Sequence, residues 1–277
     1  MEMKKRKLLL ILGFAFLTVA GLSMRLKTVT YTVESDKISH SVRIALITDL
    51  HGCWYGKEQE NLLRAVEQEN PDIILLGGDI FDDEVPYEKS EITVEKLAKK
   101  YPCYYVSGNH EYWSNDIENI LEILKKHGVT ILSAACETVQ LNGQNINICG
   151  VDDPDVVRYT KDGVPFEKQL SKVEEDCANG AFTVLLSHRP EFAETYQEYK
   201  FNLVLTGHAH GGQWRIPGIL NGLFAPNQGL FPKYAGGRYD FEEQTLIVSR
   251  GLARESTFAP RIFNRPELVI IDLESNK

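Results

Sequence analysis

The sequence predicts a layered α/β or α+β domain, and three observations predict it. Short apolar, β-branched runs recur along the chain between turn residues, amphipathic helical patterns fall between several of them, and an Asn-Gly pair joins two runs as a hairpin. The segment 28–33 alternates as a strand does. The apolar runs follow at 42–48, 73–76, 103–106, 146–151, 182–186, 203–206, 245–249 and 268–273. Asn142-Gly143 separates 138–141 from the run that starts at Ile146. Leu62, Leu63 and Val66 mark one helix. Ile117, Ile120, Leu121 and Leu124 mark a second that stops at Gly128, and Phe166, Leu170, Val173 and Cys177 mark a third that closes at Asn179-Gly180. His127 reads as the C-terminal residue of the second helix.

Residues 211–241 break this rhythm with seven glycines, three prolines and six aromatic residues. The stretch is too long for an ordinary connection. It reads either as an irregular loop region beside a site or as hairpins carrying aromatic packing residues. No linker follows residue 28, so residues 1–27 form an N-terminal hydrophobic segment and residues 28–277 one domain of catalytic size.

The N-terminal segment contains 17 uncharged residues, 8–24, preceded by Lys4, Lys5, Arg6 and Lys7 and followed by Arg25 and Lys27. Seventeen is the lower limit for a spanning helix. Three readings apply: an uncleaved signal-anchor, a cleaved signal peptide, or a buried helix. A cut after Ala20 would place Thr18 at −3, a poor cleavage site. The expected arrangement is therefore a single-pass anchor. The heavier basic flank before it keeps the N-terminus in the cytoplasm and the catalytic domain outside. The secreted form after cleavage is the alternative.

Beyond residue 27 the chain holds 24 basic and 38 acidic residues, a net charge of −14. Such a domain repels phosphate backbones, so no nucleic-acid partner is expected, and an anionic substrate needs a local positive centre. A monomer is the expected state. The five cysteines include no C-x-x-C pair, which excludes thiolate zinc and thioredoxin-like readings. Their odd count leaves at least one free thiol, and small buried hydrophobes are the expected role. That sits in tension with export to an oxidising compartment.

Five of the apolar runs lead directly into residues able to bind a metal. They are Asp49-Leu50-His51, Gly77-Gly78-Asp79, Gly108-Asn109-His110-Glu111, Ser187-His188 and Gly207-His208-Ala209-His210. Each alone is weak, since Gly-Asp after a strand is commonly a turn and a lone histidine commonly a satisfied polar group. Together they take five of the seven histidines, and the carboxyl edge of a sheet is where α/β folds bind ligands. Carboxylate, imidazole and amide oxygen suit Mn, Fe or Zn. Seven donors serve two ions only if one is shared, and a carboxylate offers two oxygens for that purpose. No H-E-x-x-H pattern exists to support a zinc peptidase.

The set D-x-H, G-D-x-x-D, G-N-H-[DE], H and G-H-x-H, in this order, resembles the calcineurin-like metallophosphoesterases over nearly all of the chain after residue 30. Within that family it is most similar to the membrane-associated YkuE/YaeI-type phosphodiesterases, through residues 150–154, 207–213, 249–251 and 265–267. The resemblance implies a β-sandwich of two mixed sheets flanked by helices. It implies that Asp49, His51 and His210 hold one divalent ion, that Asn109, His188 and His208 hold a second, and that Asp79 bridges them. It gives His110 the part of general acid and Asp82 a supporting part. Asp82, where an iron-binding tyrosine would stand, argues against a purple acid phosphatase. Arg189 and Cys53 receive no role, and Glu111 either orients His110 or caps a surface helix.

Two divalent ions against the carboxylates of Asp49 and Asp79 leave a positive centre in an acidic domain. The implied chemistry is in-line attack by a bridging hydroxide on a phosphate ester, with His110 as acid. A phosphodiester or pyrophosphate is the expected substrate, on a lipid or a cell-envelope polymer. The alternative is a scaffold that keeps the fold without catalysis. Loss of His110 or of a histidine pair would mark it, and all are present.

Overall fold

Residues of both inward and outward pleat are apolar in the strands that carry the fold, because both faces of each sheet are covered. A computed structural model of the chain describes residue 6, residues 18–254 and residues 260–276. The first sheet is formed by β1 (Lys27–Ser35), β14 (Glu267–Ser275), β2 (Val42–Ile47), β3 (Ile73–Gly77), β4 (Cys103–Val106) and β5 (Thr130–Ile131), in that order. β2 to β5 run parallel, while β14 is antiparallel to β2 and parallel to β1. The second sheet has the order β12 (Gly237–Asp240), β13 (Thr245–Val248), β9 (Leu203–Thr206), β8 (Phe182–Leu186), β7 (Gln144–Gly150), β6 (Ala135–Leu141). β13, β9, β8 and β7 are parallel, and both edge strands are antiparallel. Both sheets are thus mixed, as the sequence resemblance implies.

Strand alternation divides the core into three layers. Ile44, Leu46, Ile73 and Leu75 of the first sheet meet Ile148, Val184, Leu186 and Leu205 of the second between the sheets. Their neighbours Ala45, Ile47, Ile74 and Leu76 point outward against Leu62, Val66, Val94, Leu97, Ile120 and Leu124 of the helices Glu60–Glu69, Glu88–Ala98 and Ile117–Lys126. Leu185, Val204 and Val248 meet Leu170 and Val173 of the helix Phe166–Asp176 on the far side. The result is helix, sheet, sheet, helix. The Asn142-Gly143 hairpin forms with its first residue at φ 49° and its second at φ 81°, as a two-residue turn of this kind requires. His127 caps its helix and meets Glu91 at 3.0 Å.

Three of the cysteines, Cys53, Cys103 and Cys177, are buried, as expected. Cys136 and Cys149 differ. They face one another across the antiparallel pair β6 and β7 and are joined in a disulfide. Residues 8–17 of the apolar N-terminal stretch lie outside the described residues, while 18–21 are helical. Among the described residues, no helix is long and apolar enough to cross a membrane.

Beyond the 3-10 turn His210–Gly212, the segment 211–241 holds the two-residue strands β10 (Phe224–Ala225) and β11 (Gly229–Leu230) and the edge strand β12, with turns between. Its aromatic residues divide. Tyr234 is buried and packs on Tyr239 and Phe241, whereas Trp214, Phe224 and Phe231 stand exposed.

Candidate metal centre

The parallel strands of both sheets end at one common edge, and there the predicted residues converge. Asp49 and His51 follow β2, Asp79 follows β3, Asn109 follows β4, His188 follows β8, and His208 and His210 follow β9. All seven are buried. Ligating atoms of Asp49, His51 and His210 lie within 4.8 Å of one another, and so do those of Asp79, His188 and His208. Asp79 Oδ2 sits between the groups, 3.6 Å from His51 Nε2 and 3.0 Å from His188 Nε2. Neither contact is aligned as a hydrogen bond. Asp49 Oδ2, His51 Nε2, Asp79 Oδ2, Asn109 Oδ1 and His188 Nε2 are all buried without a hydrogen bond. Five orphaned polar atoms at one place are costly unless something else satisfies them. A pair of cations facing those atoms would do so, and the donor set fits divalent ions.

Backbone strain accompanies the site. Asp49, His51, Asp79, His208 and His210 have φ of 51°, 46°, 51°, 62° and 45°. Left-handed conformations at non-glycine residues cost energy and persist where surrounding structure enforces them. Gly251, at φ 69°, lets the backbone pass so close that a Cβ there would stand 2.6 Å from the Asp49 carboxylate.

The imidazoles are held by their second nitrogens. His51 Nδ1 lies 2.7 Å from Asp82 Oδ2, His188 Nδ1 lies 2.8 Å from the Gly77 carbonyl, and His208 Nε2 lies 2.9 Å from Asn227 Oδ1. Asp82 and the Gly77 carbonyl each take an N–H and leave the other nitrogen's lone pair for a ligand, the usual arrangement around metals, whereas His208 Nε2 faces both Asn227 Oδ1 and the Arg189 guanidinium. His210 is a further exception, with Arg261 Nη2 at 3.4 Å from its Nδ1. Charge follows the same pattern. Burial, and then Arg189 for His208 and His51 for His210, holds both imidazoles well below their ordinary pKa. Burial opposes the charge on His188, but Asp79 and Asp49 overcome it and push its pKa up to about 10. Burial likewise opposes ionisation of Asp79, and His188, His110 and His51 reverse it, holding the carboxyl well below the usual range.

His110 is placed beside the groups rather than within either. It is the second residue of the short helix Asn109–Trp113, so its side chain diverges from that of Asn109. Its ring meets the edge of His51 at 4.4 Å between centroids, and its Nδ1 lies 2.5 Å from Asp83 Oδ1. Asp83 was not among the residues singled out in the sequence, although it neighbours the G-D-x-x-D motif. Glu111 caps its helix, accepting the Gly108 N–H, but from the interior and not at the surface. It is fully buried and accepts the backbone N–H groups of Asp79, Ile80, Phe81 and Gly108 at 2.8–3.1 Å. Burial and the Asp79 charge push its pKa up to about 7. Arg189, without a role in the sequence, takes Asp153 through both Nε and Nη2 and reaches His208 Nε2 and Asn227 Oδ1 at 3.1 and 2.8 Å. Cys53 is buried and accepts the Arg254 N–H at 3.3 Å. Asn227 and Arg261 were also missed; only the unusual loop composition pointed towards the first.

The sequence profile of the calcineurin-like phosphoesterases (Metallophos) matches residues 42–212. The chain belongs to this family. The family is one of phosphoesterases. A metallophosphoesterase of Campylobacter jejuni is 30% identical over 98% of the chain and 70% of its own length. YkuE of Bacillus subtilis is 25% identical over 90% of the chain and 86% of its own. A Helicobacter pylori metallophosphoesterase is 34% identical over 64% of the chain, which spans about half (47%) of that relative's length. Among solved structures, TT1561 of Thermus thermophilus shares the fold at TM-score 0.52 and 13% identity, covering 78% of this chain and 92% of that one.

Proposed function

We propose that the chain is a two-metal phosphodiesterase or pyrophosphatase held at a membrane. Asp49, His51 and His210 hold one ion, Asn109, His188 and His208 the other, and Asp79 is shared. The observation that carries this reading is the position of Asp79 Oδ2 between two ligand groups whose inward atoms lack hydrogen bonds. When bound, two divalent ions neutralise a phosphoryl group and make water nucleophilic at neutral pH. The chain's own residues do the rest. Asp82 and Gly77 fix the tautomers of His51 and His188, and Asn227 and Arg189 hold the His208 ring. His110, oriented by Asp83, gives a proton from Nε2 to the leaving oxygen. Oxygen and nitrogen donors favour Mn, Fe or Zn.

Membrane attachment through residues 8–24, with the domain outside the cytoplasm, is supported by the basic flank and by the Cys136–Cys149 disulfide, a bond that persists in oxidising compartments. A bovine relative, 29% identical over 77% of this chain, is named as a transmembrane protein with a metallophosphoesterase domain. A phosphodiester of a lipid or envelope polymer follows as the substrate class. The decisive experiment is metal analysis of the wild type and of Asp79→Asn. The wild type should carry about two ions per chain, and the variant should lose both ions and activity. Full metal content in Asp79→Asn would overturn the shared-carboxylate assignment. Digestion of the domain by protease added to wall-stripped cells tests its location.

A further inference from the structure

The exposed large apolar residues of the described domain concentrate in the segment that follows the G-H-x-H motif. Trp214, Ile216, Ile219, Phe224, Leu230 and Phe231 are between 41% and 84% exposed. Single exposed hydrophobes are ordinary, but a contiguous set marks an interaction surface. These are contiguous by backbone pairing. Leu223 donates to the Trp214 carbonyl, Phe231 donates to the Leu223 carbonyl, and Phe224 pairs directly with Leu230. Ile216 and Leu220 close the turn that carries Ile219 at its tip.

The same surface is joined to the N-terminal segment. Trp214 bridges to Ile262, the next residue, Phe263, donates to the Gly21 carbonyl at 2.7 Å, and a Cβ on Gly21 would meet the Phe263 ring at 3.1 Å. The uncharged stretch ends at Met24 and β1 begins at Lys27. Two intervening residues span at most roughly 10 Å. The domain therefore has no tether, and the face from which the stretch emerges must lie on whatever the stretch enters.

Charge agrees. Residues 18–27, 211–239 and 260–266 contain seven basic residues and no acidic one, beside a net charge of −14 over residues 28–277. Lys233 and Arg238 share their charge with Glu194 and Asp240, and Arg261 is buried. Arg25 and Lys27 are exposed, and Arg215 and Arg265 half-buried. Apolar residues rimmed by cations fit an anionic lipid surface. The surface also touches the metal centre, since Asn227, in the turn between Phe224 and Leu230, holds His208.

We infer that the 214–231 surface is a bilayer-docking face that inserts its apolar turns beside the N-terminal segment and presents the metal edge to head-group phosphates. This rests on the anchor reading above. The test uses the full chain in vesicles of phosphatidylethanolamine and phosphatidylglycerol containing lipids brominated on the acyl chain. An environment-sensitive fluorophore is placed at Ile219→Cys or, as control, at Lys125→Cys, on the helix beside β5 at the opposite edge of the first sheet from β1. The Ile219 probe should shift to the blue and be quenched several-fold more than the Lys125 probe. Equal quenching at both positions overturns the inference. So does protection of Ile219 that appears without lipid and rises with protein concentration, which would make the face a contact between copies.

The double variant Ile219→Asp/Phe231→Asp should lower hydrolysis of a vesicle-borne phosphodiester by roughly ten-fold or more. Hydrolysis of soluble bis(p-nitrophenyl) phosphate should not change. Equal loss on both substrates also counts against the face. Failure of the wild type on the soluble ester would instead sink the phosphoesterase reading, and a recovered chain that begins beyond residue 20 would sink the anchor reading, while the quenching comparison stands on its own.

Discussion

Asp83 Oδ1 lies 2.5 Å from His110 Nδ1, while the preceding carboxylate, Asp82, takes His51 Nδ1 at 2.7 Å. Two consecutive acids thus orient two histidines with different work. His51 turns Nε2 towards Asp79, whereas in the proposed reaction His110 keeps Nε2 for a proton. Removing a general acid costs about 10²–10⁴ in rate. His110→Ala should lose turnover by that order while keeping its metals and fold. The loss should be larger for an alkyl leaving group than for nitrophenolate, which needs no proton. Asp83→Asn should show the same dependence on leaving group with a smaller loss. Equal losses on both leaving groups, or loss of metal, would remove His110 from the acid's part.

Asp82→Asn tests the other half of the pair. Disturbing a carboxylate that supports a metal-binding histidine weakens metal affinity by about 10–100-fold. Activity should therefore fall at limiting metal and recover at high metal, as titration calorimetry and metal-dependent kinetics would record. A loss that no metal concentration restores would place Asp82 in the chemistry instead.

The His188 shift gives a pH signature. Its folded pKa, about 10, stands above the ordinary 6.5. In metal-free protein the stability from this group is fully present below pH 6.5 and is lost as pH rises through about 10. The ligand form is neutral imidazole, so metal binding near neutral pH must release that proton. Calorimetry in buffers of different ionisation enthalpy should detect it, and metal affinity should rise with pH. A proton count of zero would mean that His188 is already neutral.

The site's legibility follows from strand geometry. Each proposed ligand stands just after an apolar run, so a strand assignment alone carries it to the sheet edge. Residues that act from elsewhere leave no such mark. Asn227 reaches His208 from a turn 19 residues on, and Arg261 reaches His210 from 51 residues on. The helix Glu88–Ala98 was hidden for a related reason. Its buried face includes Ser90 and Thr93 beside Val94 and Leu97, and Ser90 and Thr93 satisfy their hydroxyls on the carbonyls of Ile80 and Lys89. An apolar period cannot be read through polar residues that are buried by hydrogen bonding. The Cys136–Cys149 disulfide depended on the register of β6 against β7, which the hairpin turn sets but cysteine spacing does not.

Glu111 offers the sharpest separation of structure from chemistry. Its Oε1 accepts the N–H groups of Ile80 and Phe81, and its Oε2 those of Asp79 and Gly108. Only a carboxylate presents acceptors to all four donors. In Glu111→Gln an amide NH₂ would face two N–H groups, replacing two charge-assisted hydrogen bonds with two buried, unsatisfied donors. At about 1.5–3 kcal/mol for each bond to a charged group, the variant should lose about 3–6 kcal/mol of stability above the Glu111 pKa of about 7, where the carboxylate is ionised. The four N–H groups belong to the turn that presents Asp79 and to the residue before Asn109, so metal content should fall as well. Denaturant unfolding of the metal-free proteins isolates the structural part, since an unchanged slope with a lower midpoint reports stability alone. An unchanged midpoint together with lost activity would mean that Glu111 acts on the substrate side and that its backbone cradle is incidental.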